Sequence, residues 1–220
     1  MLSVWDSSRN KRALLAVSLT CLVCFLLIAL LRGSFEGINS EVNLWAATIH
    51  TGSVTAAAKL VADGFDTTPL LIVSFVVGVA LFLLEMKRNA LVLVGTMVGN
   101  AAVLEALKSF IYSPRPENGV VFDVGNSFPS GHVASMVVLF GLLAYFAWPV
   151  LKSTRVKIVL SFFVVTVEFF VGFTRIYLNV HWLSDVLAGY FLGVLWLTFC
   201  IAITPYLAQI YKKKHFSISR

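Results

Sequence analysis

Residues 69–84 read PLLIVSFVVGVALFLL, sixteen positions from Pro69 to Leu84 without one charged side chain. About 17 to 25 apolar residues in a helix cross a hydrocarbon core roughly 30 Å thick, so this run is at or near spanning length. Lipid offers the backbone no water to bond with, and a lone segment satisfies its own amides there only as a helix. Five further apolar stretches repeat the pattern, at 13–31, 90–107, 133–150, 156–173 and 185–205. Composition agrees: 59% of the 220 residues are hydrophobic and 13% are charged, where an ordinary soluble domain has about a quarter charged. The sequence therefore predicts an all-α, polytopic membrane protein with about six transmembrane helices, built as a single domain over residues 1–220.

The first stretch follows Arg9, Lys11 and Arg12, as the apolar part of a secretory signal would. A signal's apolar region is only about 7 to 15 residues long and leads to a small-residue cleavage site. This run is longer and ends at Leu31-Arg32-Gly33, so a retained anchor is expected. The formal net charge of +6 raises nucleic acid as a partner. The cations do not gather on an aromatic-interleaved surface, however, and no nucleic acid is expected. They sort by loop instead: Lys87 and Arg88 lie between the second and third stretches, Lys152, Arg155 and Lys157 between the fourth and fifth, and Lys212, Lys213 and Lys214 after the last. By the positive-inside rule these segments, and both termini, face the cytoplasm across the cell membrane. The connections of opposite parity carry Glu36, Glu41, Asp63, Asp66, Glu117 and Asp123 and are expected outside. Cys21 and Cys24 have CxxC spacing but lack the further ligands a metal needs, and packing is their expected role. Residues 32–68 mix Val42, Leu44, Trp45 and Ile49 with polar positions, which suits a helix at the membrane surface or an ordinary external loop.

Residues that neither packing nor topology explains collect in three external clusters. The first, KSFIYSPRP, carries Lys108 and Arg115, with Pro114 and Pro116 stiffening the backbone around the arginine. The second is Phe128-Pro129-Ser130-Gly131-His132, just before the fourth stretch. There Ser130 is a favoured helix cap, Gly131 admits close approach to the backbone, and free amides at a helix start bind phosphate. His132 beside them exchanges a proton near neutral pH. The third runs from Thr174 to Asp185 and holds Arg175, His181 and Asp185. His181 and Asp185 stand four apart, so on a helix the carboxylate fixes one ring nitrogen and the other presents its lone pair, as a nucleophile or base requires. Each cluster sits at the external end of a predicted helix, so a compact bundle brings Lys108, Arg115, Ser130, His132, Arg175, His181 and Asp185 around one pocket. Three cations there balance a phosphate dianion. Glu168 and Asn100 lie inside predicted spans, where they either pair structurally or serve the site; Glu105 is placed to partner Lys108, and His50 and His215 are expected at the surface.

These three segments resemble the type 2 phosphatidic acid phosphatase family of membrane lipid phosphatases. Its pattern is Lys, six residues, Arg-Pro; then Pro-Ser-Gly-His; then Ser-Arg, five residues, His, three residues, Asp. Lys108, Arg115 and Pro116 match the first part, residues 129–132 the second, and Arg175, His181 and Asp185 the third, with Thr174 in place of Ser. The resemblance implies a lipid phosphate or diphosphate substrate and a phosphohistidine on His181, oriented by Asp185. It further implies that His132 acts as general acid and then as base. Lys108, Arg115, Ser130, Gly131 and Arg175 would hold the phosphate, with no metal and no cofactor. A phosphotransferase or a vanadate-dependent peroxidase would use the same pocket, whereas a transporter with a dead site would not need His181, His132 and Asp185 intact.

Overall fold

The computed structural model describes the backbone of residues 8–218 and the side chains of 11–205, and within these limits every secondary-structure element is a helix. The helices are α1 (Ser8–Leu30), α2 (Glu36–Thr48), α3 (Gly52–Gly64), α4 (Thr67–Leu83), α5 (Lys87–Phe110), α6 (Gly131–Ala147), α7 (Thr154–Tyr177) and α8 (Leu183–Ile218), with a 3-10 turn at Arg32–Phe35. The side chains of Arg9, Lys212, Lys213, Lys214 and His215 lie outside the described residues.

Each of the six apolar stretches falls on a helix. Lys11–Leu30, Lys87–Phe110, Thr154–Tyr177 and Leu183–Pro205 are long and apolar enough to cross a membrane by themselves. The stretch at 69–84 is not: α4 reaches that standard only together with α3, as a pair bent by 52°. Asp66 makes the break, because its carboxylate accepts from the Thr67 amide at 2.7 Å and caps α4. Helix α6 is apolar but only 17 residues long.

Residues 32–68, read from sequence as either a surface helix or a loop, form the 3-10 turn and two helices. Their small faces pack inward: Ala58 and Ala62 join Tyr177, Leu178 and Val180 in one apolar cluster, while Leu44 and Leu60 stay exposed. His50, expected at the surface, is instead partly buried and bonded to the Tyr177 carbonyl, tying the α2–α3 turn to the end of α7.

Helix α6 is the axis of the bundle, with every residue from Gly131 to Leu139 buried. Helix α8 approaches it through Gly189 and Gly193. A Cβ on Gly193 would stand 2.7 Å from Val137 Cβ, and one on Gly189 would stand 2.8 Å from the Ser130 carbonyl. Small residues four apart allow such close approach where water drives no association. Helix α1 lies along α8, joined by a 2.7 Å bond between the Ser18 and Thr198 hydroxyls. The outer faces of α4 and α7 expose Ile72, Phe75, Val76, Phe162, Phe163 and Phe169. Apolar surface on this scale is the mark of a face that meets lipid.

Candidate active site

The α7–α8 link shows how local rules aim a side chain. Helix α7 ends in a Schellman turn: Asn179 takes φ +51, its amide donates to Ile176 O at 3.0 Å, and the Val180 amide donates to Arg175 O at 3.2 Å. Three residues later α8 starts with a reach-back cap, in which Asp185 Oδ2 accepts from the Trp182 amide at 2.9 Å. His181 is held between the two devices. It lies before the helix rather than on it, so the shared helical face expected from the spacing does not form. Asp185 Oδ2 nevertheless stands 3.4 Å from His181 Nδ1, a contact too long for a well-formed hydrogen bond.

The other ring nitrogen is better defined. Arg115 Nη1 lies 3.3 Å from His181 Nε2. A guanidinium only donates, so Nε2 is the accepting, lone-pair nitrogen and Nδ1 carries the hydrogen toward Asp185. His181 is 2% exposed. Burial first, then the charges of Arg175, Arg115 and Lys108, hold its imidazole well below the ordinary histidine range, and it is neutral at pH 7.

Arg115 stands on the 111–130 connection, whose two arms are closed by the Ser113–Ser127 hydroxyl bond at 2.9 Å and by Asn126, which accepts from the Ser113 amide at 3.0 Å and donates to Lys108 O at 2.7 Å. Arg115 also donates to Val180 O at 2.8 Å, which fixes it against the His181 link. Arg175, 2% exposed in the last turn of α7, completes the positive wall. Asp123 bridges the two arginines, its Oδ2 lying 3.0 Å from Arg115 Nη1 and 3.2 Å from Arg175 Nη2.

The start of α6 forms the facing wall. Ser130 holds the cap position, and its amide donates to Asp185 O at 3.0 Å, tying α6 to α8. Its hydroxyl makes no capping bond, against the sequence expectation, and is buried without a partner. Arg175 Nε is likewise buried and unpartnered. A serine hydroxyl and a guanidinium N–H are both donors of the kind that bind oxyanions. Gly131 lies close to its neighbours: a Cβ there would meet the Thr67 hydroxyl at 3.2 Å, a tight contact, and Lys108 Nζ at an ordinary 3.9 Å. His132 Nε2 donates to Ala62 O at 3.1 Å and stands 3.5 Å from Asp66 Oδ1, while the ring remains within electrostatic reach of Arg175, His181 and Lys108. Thr174, which replaces Ser in the third pattern, turns its hydroxyl back to Val171 O at 2.7 Å.

All eight residues singled out from sequence thus meet at one end of the bundle. Residues 89–209 match the PAP2 superfamily, over half of the chain. The chain belongs to the PAP2 superfamily. The matched region contains all three PAP2 segments and leaves α1 to α4 outside it. The chain is also 29% identical over 146 residues to phosphatidylglycerophosphatase B of Bacillus subtilis (strain 168), covering 64% of this chain and 69% of that protein. The crystal structure of the first transmembrane PAP2-type phosphatidylglycerolphosphate phosphatase from Bacillus subtilis superimposes with a TM-score of 0.78 at 21% identity, over 86% of this chain and 96% of that one. This PAP2 likeness fixes the membrane-embedded helical fold.

Several residues at the site escaped the sequence reading. Asp123 was read only as an external acid, and Asn126 and Trp182, whose indole donates to Pro114 O at 2.8 Å, were not singled out. Asn100, expected either to pair structurally or to serve the site, donates its amide to Ser135 Oγ at 3.0 Å, and that hydroxyl lies 3.5 Å from Thr67 Oγ1 beside Gly131. Trp182 and Ser184 also line a cavity of about 470 Å³ beside the link, together with Arg32, Asn39 and Ser113.

Proposed function

We propose that the chain is a lipid phosphatase that removes a terminal phosphate from a lipid phosphate or diphosphate through a phosphohistidine. The observation that supports it most is His181 Nε2, neutral, accepting from Arg115 Nη1 at 3.3 Å and within electrostatic reach of Arg175 and Lys108. In the first step that lone pair bonds to phosphorus as the bond to the leaving oxygen breaks, and His132 supplies the proton the leaving oxygen needs. Nε2 of His132 keeps its hydrogen on Ala62 O, so the proton given up sits on Nδ1: His132 enters the first step as the imidazolium, leaves it neutral, and is returned to the imidazolium by the proton it takes from water in the second. In the second step His132 takes a proton from water, the hydroxide oxygen bonds to phosphorus, and the bond to His181 breaks. Charge spreads over the equatorial oxygens in such transfers, so positioning and electrostatic stabilisation carry most of the catalysis. Lys108, Arg115, Arg175, the Ser130 hydroxyl and the Gly131 amide supply them. We read the reaction as metal-independent because these groups neutralise the phosphate themselves, and activity should survive EDTA and be blocked by vanadate.

The activity named in both Bacillus subtilis matches makes phosphatidylglycerol phosphate the first substrate to assay, with phosphatidic acid and undecaprenyl diphosphate beside it. The charge sorting supports both termini in the cytoplasm and a site facing the external leaflet.

The deciding experiment separates the two histidines in single turnover. A lipid alkoxide leaves only with a proton, and general acid catalysis contributes about 10² to 10⁴ in rate. Nitrophenolate leaves unaided, so His132→Ala should lose far more on a lipid phosphate than on an aryl phosphate, while His181→Ala should lose both. Equal losses for His132→Ala, or radiolabelled phosphate trapped on His132, would reverse the assignment.

A further inference from the structure

The space between the two arginines is filled by the chain itself. One oxygen of Asp123 takes Arg115 Nη1 at 3.0 Å and Arg175 Nη2 at 3.2 Å. Arg115 spends further donors on the same segment, Nε on Gly125 O at 3.2 Å and Nη2 on Val124 O at 3.4 Å. A carboxylate offers paired anionic oxygens, as a phosphate does, and arginine recognises both by the same fork. Ser130, Arg175 and His181 are each no more than 2% exposed, so a lipid phosphate cannot reach them as the chain stands.

The segment carrying Asp123 is built to move. It is pinned on one side by the Val120 amide on Leu178 O at 2.9 Å, and on the other by Asn126 on Lys108 O. Between these pins Phe122 is 95% exposed and Val124 70%, so neither gives up core packing if residues 122–125 swing outward, while Val121 stays packed against the Tyr177, Leu178 and Val180 cluster as the hinge. Gly125, at φ +77, supplies a backbone freedom other residues lack. What holds the segment is chiefly its bonds to Arg115 and Arg175, and those are the bonds an incoming phosphate would replace.

We propose that Asp123 is an internal phosphate mimic that closes the Arg115–Arg175 cradle in the resting protein, and that a substrate phosphate binds by displacing residues 122–125. The substrate class rests on the function proposed above; the closure rests on the geometry alone. A ligand that binds only the open form shows an affinity reduced by the open fraction. If Asp123 holds the segment closed about 90 to 99% of the time, its removal tightens phosphate about 10- to 100-fold. The opposite role, in which Asp123 positions the arginines for catalysis, predicts weaker binding on removal.

The test uses the full chain in detergent micelles, with inorganic phosphate and vanadate titrated calorimetrically into the wild type, Asp123→Asn and Asp123→Ala. At least tenfold tighter binding in both variants is expected. Equal, weaker or absent binding in variants that melt as the wild type does would overturn the proposal. A second measurement needs no change at Asp123: an environment-sensitive fluorophore on Phe122→Cys should change its emission as phosphate saturates the site. An unchanged signal at saturation would equally overturn it. Neither readout involves hydrolysis, so wild type that binds phosphate but releases none from any lipid would refute the phosphatase reading and leave the closure standing.

Discussion

Replacing Gly189 by Ala tests whether the α6–α8 seam positions the chemistry. The new Cβ would stand 2.8 Å from the Ser130 carbonyl, 3.1 Å from Val133 Cβ and 3.3 Å from Ser130 Cβ. Against the 3.4 Å at which ordinary contact begins, the shortest is deficient by roughly 0.6 Å, and its partner is backbone that cannot rotate away. The same Ser130 donates its amide to Asp185 O and carries the unpartnered hydroxyl, so relief of the clash shifts Ser130 away from Asp185 and His181. Overpacking costs about 1 to 3 kcal/mol, offset by up to about 1 kcal/mol from the better helix propensity of Ala. The chain should stay folded with a modestly lower melting temperature. A misplacement near 1 Å costs about 10²-fold in rate, so a shift of roughly half that predicts about a tenfold loss of kcat on a lipid phosphate. Gly193→Ala clashes at least as closely, at 2.7 Å, but one turn farther from the site, and should lose stability with less loss of rate. Gly95→Ala, with nothing within 4 Å, should lose neither. Wild-type kcat in a folded Gly189→Ala protein would refute the idea that this seam sets the site's geometry.

Arg175→Lys keeps the charge but loses the planar fork that is buried against Asp123, and kcat/KM should fall about 10² to 10³-fold, as for removal of one oxyanion donor; near-normal turnover would reduce Arg175 to a topological role. Because His181 is held well below the ordinary 6.5 and in the proposed mechanism attacks as the neutral nucleophile, the acid limb of kcat/KM should lie well below pH 6.5. Arg115→Met removes one of the cations that hold it down, so the limb of the residual activity should move up toward 6.5; a limb that stays put would mean that the Arg115 charge has no part in setting it. For sidedness, Glu117→Cys should be labelled by a membrane-impermeant thiol reagent in intact cells and Ser153→Cys should not, and the reverse pattern would invert the proposed orientation.

The sequence exposed the fold to the extent that single segments carry their own answer. Each apolar stretch became a helix because a run that buries itself in lipid must close its own hydrogen bonds, whatever its neighbours do. The bend between α3 and α4 was less legible, because the apolar run beginning at Pro69 masks a break that depends on the Asp66 side chain capping its own neighbour. His50 was misread for a related reason: its partner is the Tyr177 carbonyl, 127 positions away, and no local pattern announces it.

The site divides along the same line. Lys108, Arg115, Ser130, Gly131, His132, Arg175, His181 and Asp185 stand out in the sequence because their residue types, in segments at or beside the helix ends, suit an anion, and the structure gathers them at one end of the bundle. Asp123 was not, since an acid in an external acidic loop fits the topology and calls for no further explanation. Its meaning comes only from Arg115, eight positions before it, and Arg175, fifty-two after it, converging on one oxygen. Motif reasoning finds the groups that answer a substrate's charge. A group that answers those groups in the substrate's absence has the substrate's own chemistry, and in a cation-lined site that chemistry is an ordinary carboxylate.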